Sequence, residues 1–407
     1  MTRSILYVCL LCILVITGSC SSDNESIYYT PTDSKTNLGT FTSSETSDAI
    51  EMFIEQLDDK NPYTPQSYYA SVDGQEVVVT TSTENIKGNK VGVQRMSCPW
   101  VLKNQTSIFT LEKFNSRGYD FTHESHRYEK SFEPKQNNNV ETFVRYYKNN
   151  QWTSWMLPND KYASSENYGK KVAIFGGSFA HNTRAKNTNT ITNSEGTFYN
   201  GFGFEHEGKL YSLMDYMAEK LSFKKFDNFA VSGEGSYMGT TNSGTQLFPY
   251  HTYKQVQNSF KYDQYDIYII FGGINDFIGN APLGNKDEGS DANTFYGGLR
   301  KAIEHIRTNN PNARIYMTTA FKCFFEGTDW GWNPNSTHKN AKGHTFAEYR
   351  NATRTIANLY ECPLLDLFNA ENPNMELMKE LYHSDHVHPN GKGYYSAANT
   401  IIDFIAE

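Results

Sequence analysis

No run of basic residues stands out in this chain. Its 37 Lys and Arg against 45 Asp and Glu give a formal net charge of −8, without the positive patch that phosphate backbones require of a partner. Nucleic acid is therefore excluded as an expected ligand. Cysteine is scarce. Beyond Cys9, Cys12 and Cys20 at the N-terminus there are only Cys98, Cys323 and Cys362. These last three have no CxxC spacing, so a zinc site is not supported, and three thiols cannot all pair within the chain. Cys362, beside Pro363 and ahead of an apolar strand, reads as a small core residue; a disulfide through Cys98 stays open. The apolar run at residues 5–16 falls short of the ~20 residues that span a bilayer.

That run has instead the length of a secretory leader core. Arg3 supplies the positive flank and Thr17-Gly18-Ser19-Cys20 the small residues that follow. The segment resembles a bacterial lipoprotein leader. The resemblance implies that Cys20 is lipidated and becomes the first mature residue, anchoring the protein to a membrane, although Thr17 stands where Leu is usual. Simple cleavage near Ser19 is the alternative, and either route exports the mature chain. Ser21-Ser22-Asp23-Asn24-Glu25 resembles the acidic stretch that favours surface display in some Gram-negative lipoproteins.

Composition then divides the chain. Residues 1–20 are the leader. Residues 21–47, rich in Ser, Thr, Asp and Asn, read as a flexible tether. Residues 48–165 read as a smaller, mostly-β domain of unassigned role. It opens with an amphipathic helix at 48–57, with Ile50, Phe53, Ile54 and Leu57 on one face. β-type runs follow at 77–81, 91–93, 107–111 and 142–147, with Asp73-Gly74 as a turn signal. Trp100, Trp152 and Trp155 lie in or near this domain, as core residues or as a sugar-stacking platform.

From residue 166 onward strands and amphipathic helices alternate. Strands are expected at 172–175, 228–231, 265–271, 313–320 and 364–368. Helices are expected over 210–221, 295–306, 346–360 and 393–405. Repeated β-α units imply an α/β fold with a parallel sheet and helices on both faces. Ligands of such sheets gather at the carboxyl ends of the strands. The Trp-, Gly- and Asn-rich segment 325–345, with Trp330 and Trp332, interrupts the rhythm, either as a loop shaping substrate access or as a surface insertion.

Four chemistry-bearing stretches fall at or after those strand ends. They are Gly176-Gly177-Ser178, Asn228-Phe229-Ala230-Val231-Ser232-Gly233, Gly273-Ile274-Asn275-Asp276 and Asp385-His386-Val387-His388-Pro389. In this order they resemble the blocks of the SGNH hydrolase superfamily, the GDSL-type esterases. The resemblance covers roughly residues 170–407. It implies a three-layer α/β/α, flavodoxin-like domain and a serine esterase without metal or organic cofactor. By that resemblance Ser178 is the nucleophile, His388 the general base and Asp385 the carboxylate that orients it. The oxyanion donors are the backbone N–H groups of Ser178 and Gly233 and the side-chain amide of Asn275. His386 is the fallback base. Gly177 stands where the family usually has Asp, and Ala230 where Gly is frequent.

His383, Asp385, His386 and His388 could suggest a metal site, but no second ligand group of clear spacing accompanies them. Gly201 and Gly203 lack the third glycine of a dinucleotide loop. The expected substrate is a carboxylic ester, with O-acetyl groups on carbohydrate placed first and lipid or thioester acyl chains as the enzymatic alternative. The non-enzymatic alternative is a surface glycan-binding lipoprotein with a catalytically weak or degenerate hydrolase domain.

Overall fold

The computed structural model describes residues 35–407 apart from 45, 87, 115–119, 136–138, 149, 159, 164, 182–189, 194–195, 200–202, 231–234, 237–263, 291–292, 324–335, 371–374 and 384–386. Cys20, Trp330 and Trp332 lie outside the described residues.

A six-stranded sheet comes first. It is built from β1 (Lys35–Phe41), β2 (Gln66–Val72), β3 (Gln75–Ile86), β4 (Asn89–Cys98), β7 (Glu141–Lys148) and β8 (Gln151–Trp152), in the order β1-β2-β3-β4-β7-β8. Alternation sets its inner face: Val77, Val79 and Thr81 on β3 are buried while Val78 and Thr80 are only partly covered. The Asp73-Gly74 turn closes β2 on β3 with both residues at positive φ, 48° and 77°, the geometry that a two-residue hairpin favours. Helix α1 (Thr46–Asp58) presses Ala49, Ile50, Phe53 and Leu57 into a core with Trp100, Phe143 and Trp155. β1 falls inside the stretch expected to be a tether. Its sequence, KTNLGTF, is mostly polar, so hydropathy hides it, yet it pairs with β2 in parallel and Leu38 and Phe41 pack on the core.

The second sheet has seven strands. Its parallel part is β9 (Lys171–Phe175), β14 (Lys225–Asn228), β15 (Ile267–Phe271), β16 (Arg314–Thr318) and β17 (Leu364–Leu365). Every residue of β15 is buried, as expected of a strand covered on both faces. The order β17-β16-β15-β9-β14 places the first parallel strand between the second and the third. Chain connections therefore leave in opposite directions from β9 and β15, and the crevice between them is the switch point where ligands of such sheets bind.

The remaining two strands of this sheet come from the region expected to form the separate β domain. β5 (Trp100–Phe114) and β6 (Asp120–Pro134) form a long hairpin, and β6 pairs antiparallel with β14 through Phe226↔Tyr128 and Asp227↔Arg127. Alternation marks these residues as strands but carries no information about their partners, so the hairpin crosses the expected boundary at 165.

Helices α2 (Leu213–Lys220) and α8 (Gly391–Ala406) pack together, as do α4 (Phe295–Asn309) and α5 (Phe346–Leu359). A four-stranded antiparallel sheet, β10 (Thr190–Asn193), β11 (Gly196–Tyr199), β12 (Gly203–His206) and β13 (Lys209–Ser212), precedes α2. The helix expected from 210 starts instead at Leu213. Leu210 belongs to β13, the Glu207-Gly208 turn has both residues at positive φ, and Ser212 caps α2 by accepting from the Asp215 N–H at 3.1 Å. The second parallel strand likewise lies three residues earlier than expected, at Lys225–Asn228.

Candidate active site

β9 ends at Phe175, and at Gly176 the backbone passes very close to the end of β15. A Cβ at Gly176 would stand 2.8 Å from the Phe271 Cβ and 3.2 Å from its carbonyl oxygen, so only glycine fits without displacing β15. The chain then turns. Gly177 accepts at its carbonyl from the Ala180 and His181 N–H groups, both at 3.1 Å. Ser178 rides on this turn, at the carboxyl end of the first parallel strand.

His388 reaches it from the far end of the sequence. The ordering starts at Asn390, which caps α8 by accepting from the Lys392 and Gly393 N–H groups at 3.0 and 3.2 Å. Its own amide donates to the Glu380 carbonyl at 2.7 Å, and its N–H to the Leu381 carbonyl at 2.8 Å, fastening it to α7 (Met375–Leu381), which follows the short α6 (Leu367–Ala370). Tyr382 bridges Pro389, and the His383 N–H donates to the His388 carbonyl at 2.9 Å. Held on both sides, the imidazole brings Nε2 to 2.8 Å from Ser178 Oγ. A serine hydrogen-bonded to an imidazole can pass it a proton as the hydroxyl attacks, the step that a free serine performs poorly at neutral pH.

The switch point supplies further polar groups. Gly273, at φ 108°, is the left-handed cap of helix α3 (Ile274–Ile278), whose first turn carries Asn275. Asn275 lines a cleft of about 20 Å³ with Gly177, Phe179, Phe271, Gly272, Gly273, Ile274 and the strand-end residues Thr319, Ala320 and Phe321. The wholly buried Asp276 carboxylate accepts from the Ser236 N–H at 2.8 Å. A Cβ at Gly235 would lie 2.6 Å from that carboxylate. Asp276 thus anchors the backbone that leaves residues 231–234. Gly233 is among those residues and Asp385 and His386 among 384–386, so all three lie outside the described residues.

Two features escaped sequence reasoning. Phe179 stacks on Phe321 at 4.9 Å and lies 5.3 Å from the His388 ring, making an aromatic wall beside the serine. Asn228 donates to the Ala180 carbonyl at 2.7 Å and accepts from the Ala230 N–H at 2.9 Å, tying the end of β14 to the turn that carries Ser178. Asn228 opens the Asn228–Gly233 stretch that resembles an SGNH block, which was the available signal; nothing in the sequence pairs Phe179 with Phe321. The cleft is also braced from behind, where Asp366 accepts from Thr319 Oγ1 at 2.8 Å and from Arg354 Nη2 at 2.6 Å. Burial by itself would raise the Asp366 pKa, but the hydrogen bonds from Arg354 and Thr319 outweigh it and hold the pKa below the usual carboxylate value.

The GDSL-like Lipase/Acylhydrolase family matches the chain over residues 174–395, more than half of its 407 residues. The chain belongs to this family. As a GDSL-like member it is a serine esterase of the SGNH superfamily. Solved structures similar to this GDSL hydrolase include a protein from Lactobacillus plantarum, with 22% identity over 58% of this chain and 97% of that one and a TM-score of 0.42. An acetylxylan esterase from Geobacillus stearothermophilus has 19% identity over 59% and 95%, with a TM-score of 0.37. No curated protein matches the chain.

Proposed function

We propose that this GDSL hydrolase removes small acyl groups, acetyl first among them, from carbohydrate esters through an acyl-Ser178 intermediate. The observation that carries the reading is the 2.8 Å contact between Ser178 Oγ and His388 Nε2 at the switch point. The strand order and the two helix pairs support the flavodoxin-like, three-layer form of the domain.

In this mechanism Ser178 Oγ attacks the ester carbonyl and its proton passes to His388 Nε2. The tetrahedral oxyanion is held by the Ser178 and Gly233 N–H groups and the Asn275 amide. Collapse breaks the bond to the alkoxy oxygen, which takes the proton from His388 and leaves as the alcohol. Water then attacks the acyl-serine with His388 again as base, releasing the carboxylic acid and restoring Ser178. Asp385 orients the imidazole. A small acyl group is supported by the narrow cleft of about 20 Å³ lined by Phe321 and by Gly177 and Phe179, the neighbours of Ser178 in the chain, a size suited to a methyl group. Cys20 and the leader support export and membrane anchoring.

The test is hydrolysis of p-nitrophenyl acetate by the purified protein and by Ser178→Ala and His388→Ala. Each substitution is expected to lower kcat by about 10⁴-fold or more, and a fluorophosphonate should label Ser178 in the parent alone. Background rates for all three proteins, with no labelling, would refute the reading.

A further inference from the structure

A second cavity, of about 620 Å³, lies where α1 and the six-stranded sheet meet the seven-stranded one. Its floor includes Gly169 and Lys170 ahead of β9, Lys171 at its start, Lys224 ahead of β14 and Asp266 ahead of β15. These are the amino ends of the parallel strands. Ser178 follows the carboxyl end of β9, so the cavity lies across the sheet from the nucleophile and shares no lining residue with the cleft beside it.

Its wall holds unmet hydrogen-bonding capacity. Arg145 is 2% exposed. It donates through Nε to Gln94 at 2.9 Å and through Nη1 to Asp58 at 2.6 Å. The guanidinium sits 4.7 Å from the Trp152 ring and 4.6 Å from the Trp155 ring. Arg145 Nη2, Trp152 Nε1, Trp155 Nε1 and Ser131 Oγ are buried without a partner, and all four residues line the cavity. Three of these groups can only donate, so the missing partner is rich in acceptors. Leaving such donors unmatched is costly. Burial also lowers the Arg145 pKa to about 10 and that of Lys130, on the same wall, to about 8. The lining carries both signs, with Glu51, Glu55, Glu166 and Asp266 beside the lysines and Asp58 already paired with Arg145, but the buried charges of Arg145 and Lys130 are held at a cost that a negative group placed against them would offset.

Volume and shape restrict the occupant further. The cavity has the size of a small-molecule site, far larger than a lone ion needs. Tyr147 and Trp152, edge to face at 5.2 Å, add aromatic surface to its lining. Oxygen acceptors, a negative group and flat faces that pack on aromatic rings occur together in an acidic sugar.

We infer that this cavity binds a carboxylate-bearing saccharide, with the carboxylate on Arg145 and the sugar faces against the tryptophan and tyrosine rings. The site goes beyond the esterase reading and does not depend on it, being remote from Ser178 and needing no turnover. It would hold a glycan chain on one side of the sheet while esters are presented on the other. Reaching the buried Nη2 displaces a neighbour, and Trp152, half-buried, is the ring placed to move.

The experiment is calorimetric and fluorescence titration of the full chain carrying Ser178→Ala with a glucuronic-acid-containing oligosaccharide, set against the same oligosaccharide with its carboxyl groups reduced to alcohols. The acidic form is expected to bind with a change in tryptophan emission, and the reduced form about tenfold more weakly. Arg145→Gln should abolish the difference between the two. If that variant does not fold, as judged by circular dichroism, Trp152→Ala takes its place and must weaken binding of the acidic form. With wild-type protein, saturating oligosaccharide should leave p-nitrophenyl acetate hydrolysis uninhibited. No binding, equal binding of both forms, unchanged binding in the variant, or competitive inhibition would each overturn the proposal. Binding without turnover would instead leave this site standing and remove the esterase mechanism.

Discussion

Arg127 on β6 grips Asp227 on β14 with two parallel hydrogen bonds, Nε to Oδ1 at 2.7 Å and Nη2 to Oδ2 at 2.9 Å. The Asp227 side chain is fully buried, Tyr265 also donates to it, and Lys225 Nζ stands 3.5 Å away. This pair locks the antiparallel hairpin onto the parallel sheet. Arg127→Met strips the principal partner from a buried carboxylate, which costs roughly 3–5 kcal/mol. The loss should fall near the lower end because Lys225 and Tyr265 remain. Urea denaturation of the variant against the parent measures it.

Phe321 closes the small cleft beside Ser178. Phe321→Ala should open it to longer acyl chains. The parent is expected to prefer p-nitrophenyl acetate to the octanoate, and the variant should narrow that ratio of kcat/KM by about tenfold or more, the scale on which methylene groups are sorted in apolar pockets. An unchanged ratio would place acyl selection elsewhere.

Asp366 ties pH to the same cleft. Its folded-state pKa is depressed, with burial opposed and outweighed by the hydrogen bonds from Arg354 and Thr319. The stabilisation is fully present above the unfolded carboxylate pKa and is lost as pH falls through the lower folded value. Thermal melts taken from pH 6 downward should show a decline below about pH 4, and Asp366→Asn should flatten part of it while lowering the melting temperature at pH 6.

Membrane attachment is a separate expectation resting on Cys20. Cys20→Ser should move the protein from the membrane fraction to the soluble exported fraction and abolish incorporation of labelled fatty acid. An unlabelled parent protein would favour simple secretion instead.

The parallel strands were readable from the chain because each rests on a local apolar pattern, whereas the meeting of Ser178 with His388 was expected from the resemblance of four stretches to the SGNH blocks. An apolar run ends in Gly-Gly-Ser, and a His-Pro pair comes just before a helix that Asn390 caps. Partner choice was not readable. Nothing in the alternation of 100–134 says that β6 pairs with Asp227 and its neighbours rather than within its own domain. Polar composition concealed β1, whose pairing depends on backbone hydrogen bonds that any residue can make. Phe179 and Phe321 were invisible as a pair because their contact exists only once two separate strand ends converge.

The tryptophans resolve differently from one another. Trp100 is fully buried in the core of the N-terminal sheet, Trp155 belongs to the same core but also packs on Arg145 beside a cavity, and the half-buried Trp152 lines that cavity on Arg145's other side. The same residue type within one short region thus serves packing in one place and lines an open site in another.

Cys98, Cys323 and Cys362 are buried and form no disulfide, and burial pushes the Cys98 thiol up to about 12 and that of Cys362 to about 11. Thiols so protonated at neutral pH are slow to attack an oxidant or a disulfide. Among the described residues no stability rests on a disulfide, and purified material should tolerate added reductant, air and iodoacetamide alike until it is unfolded.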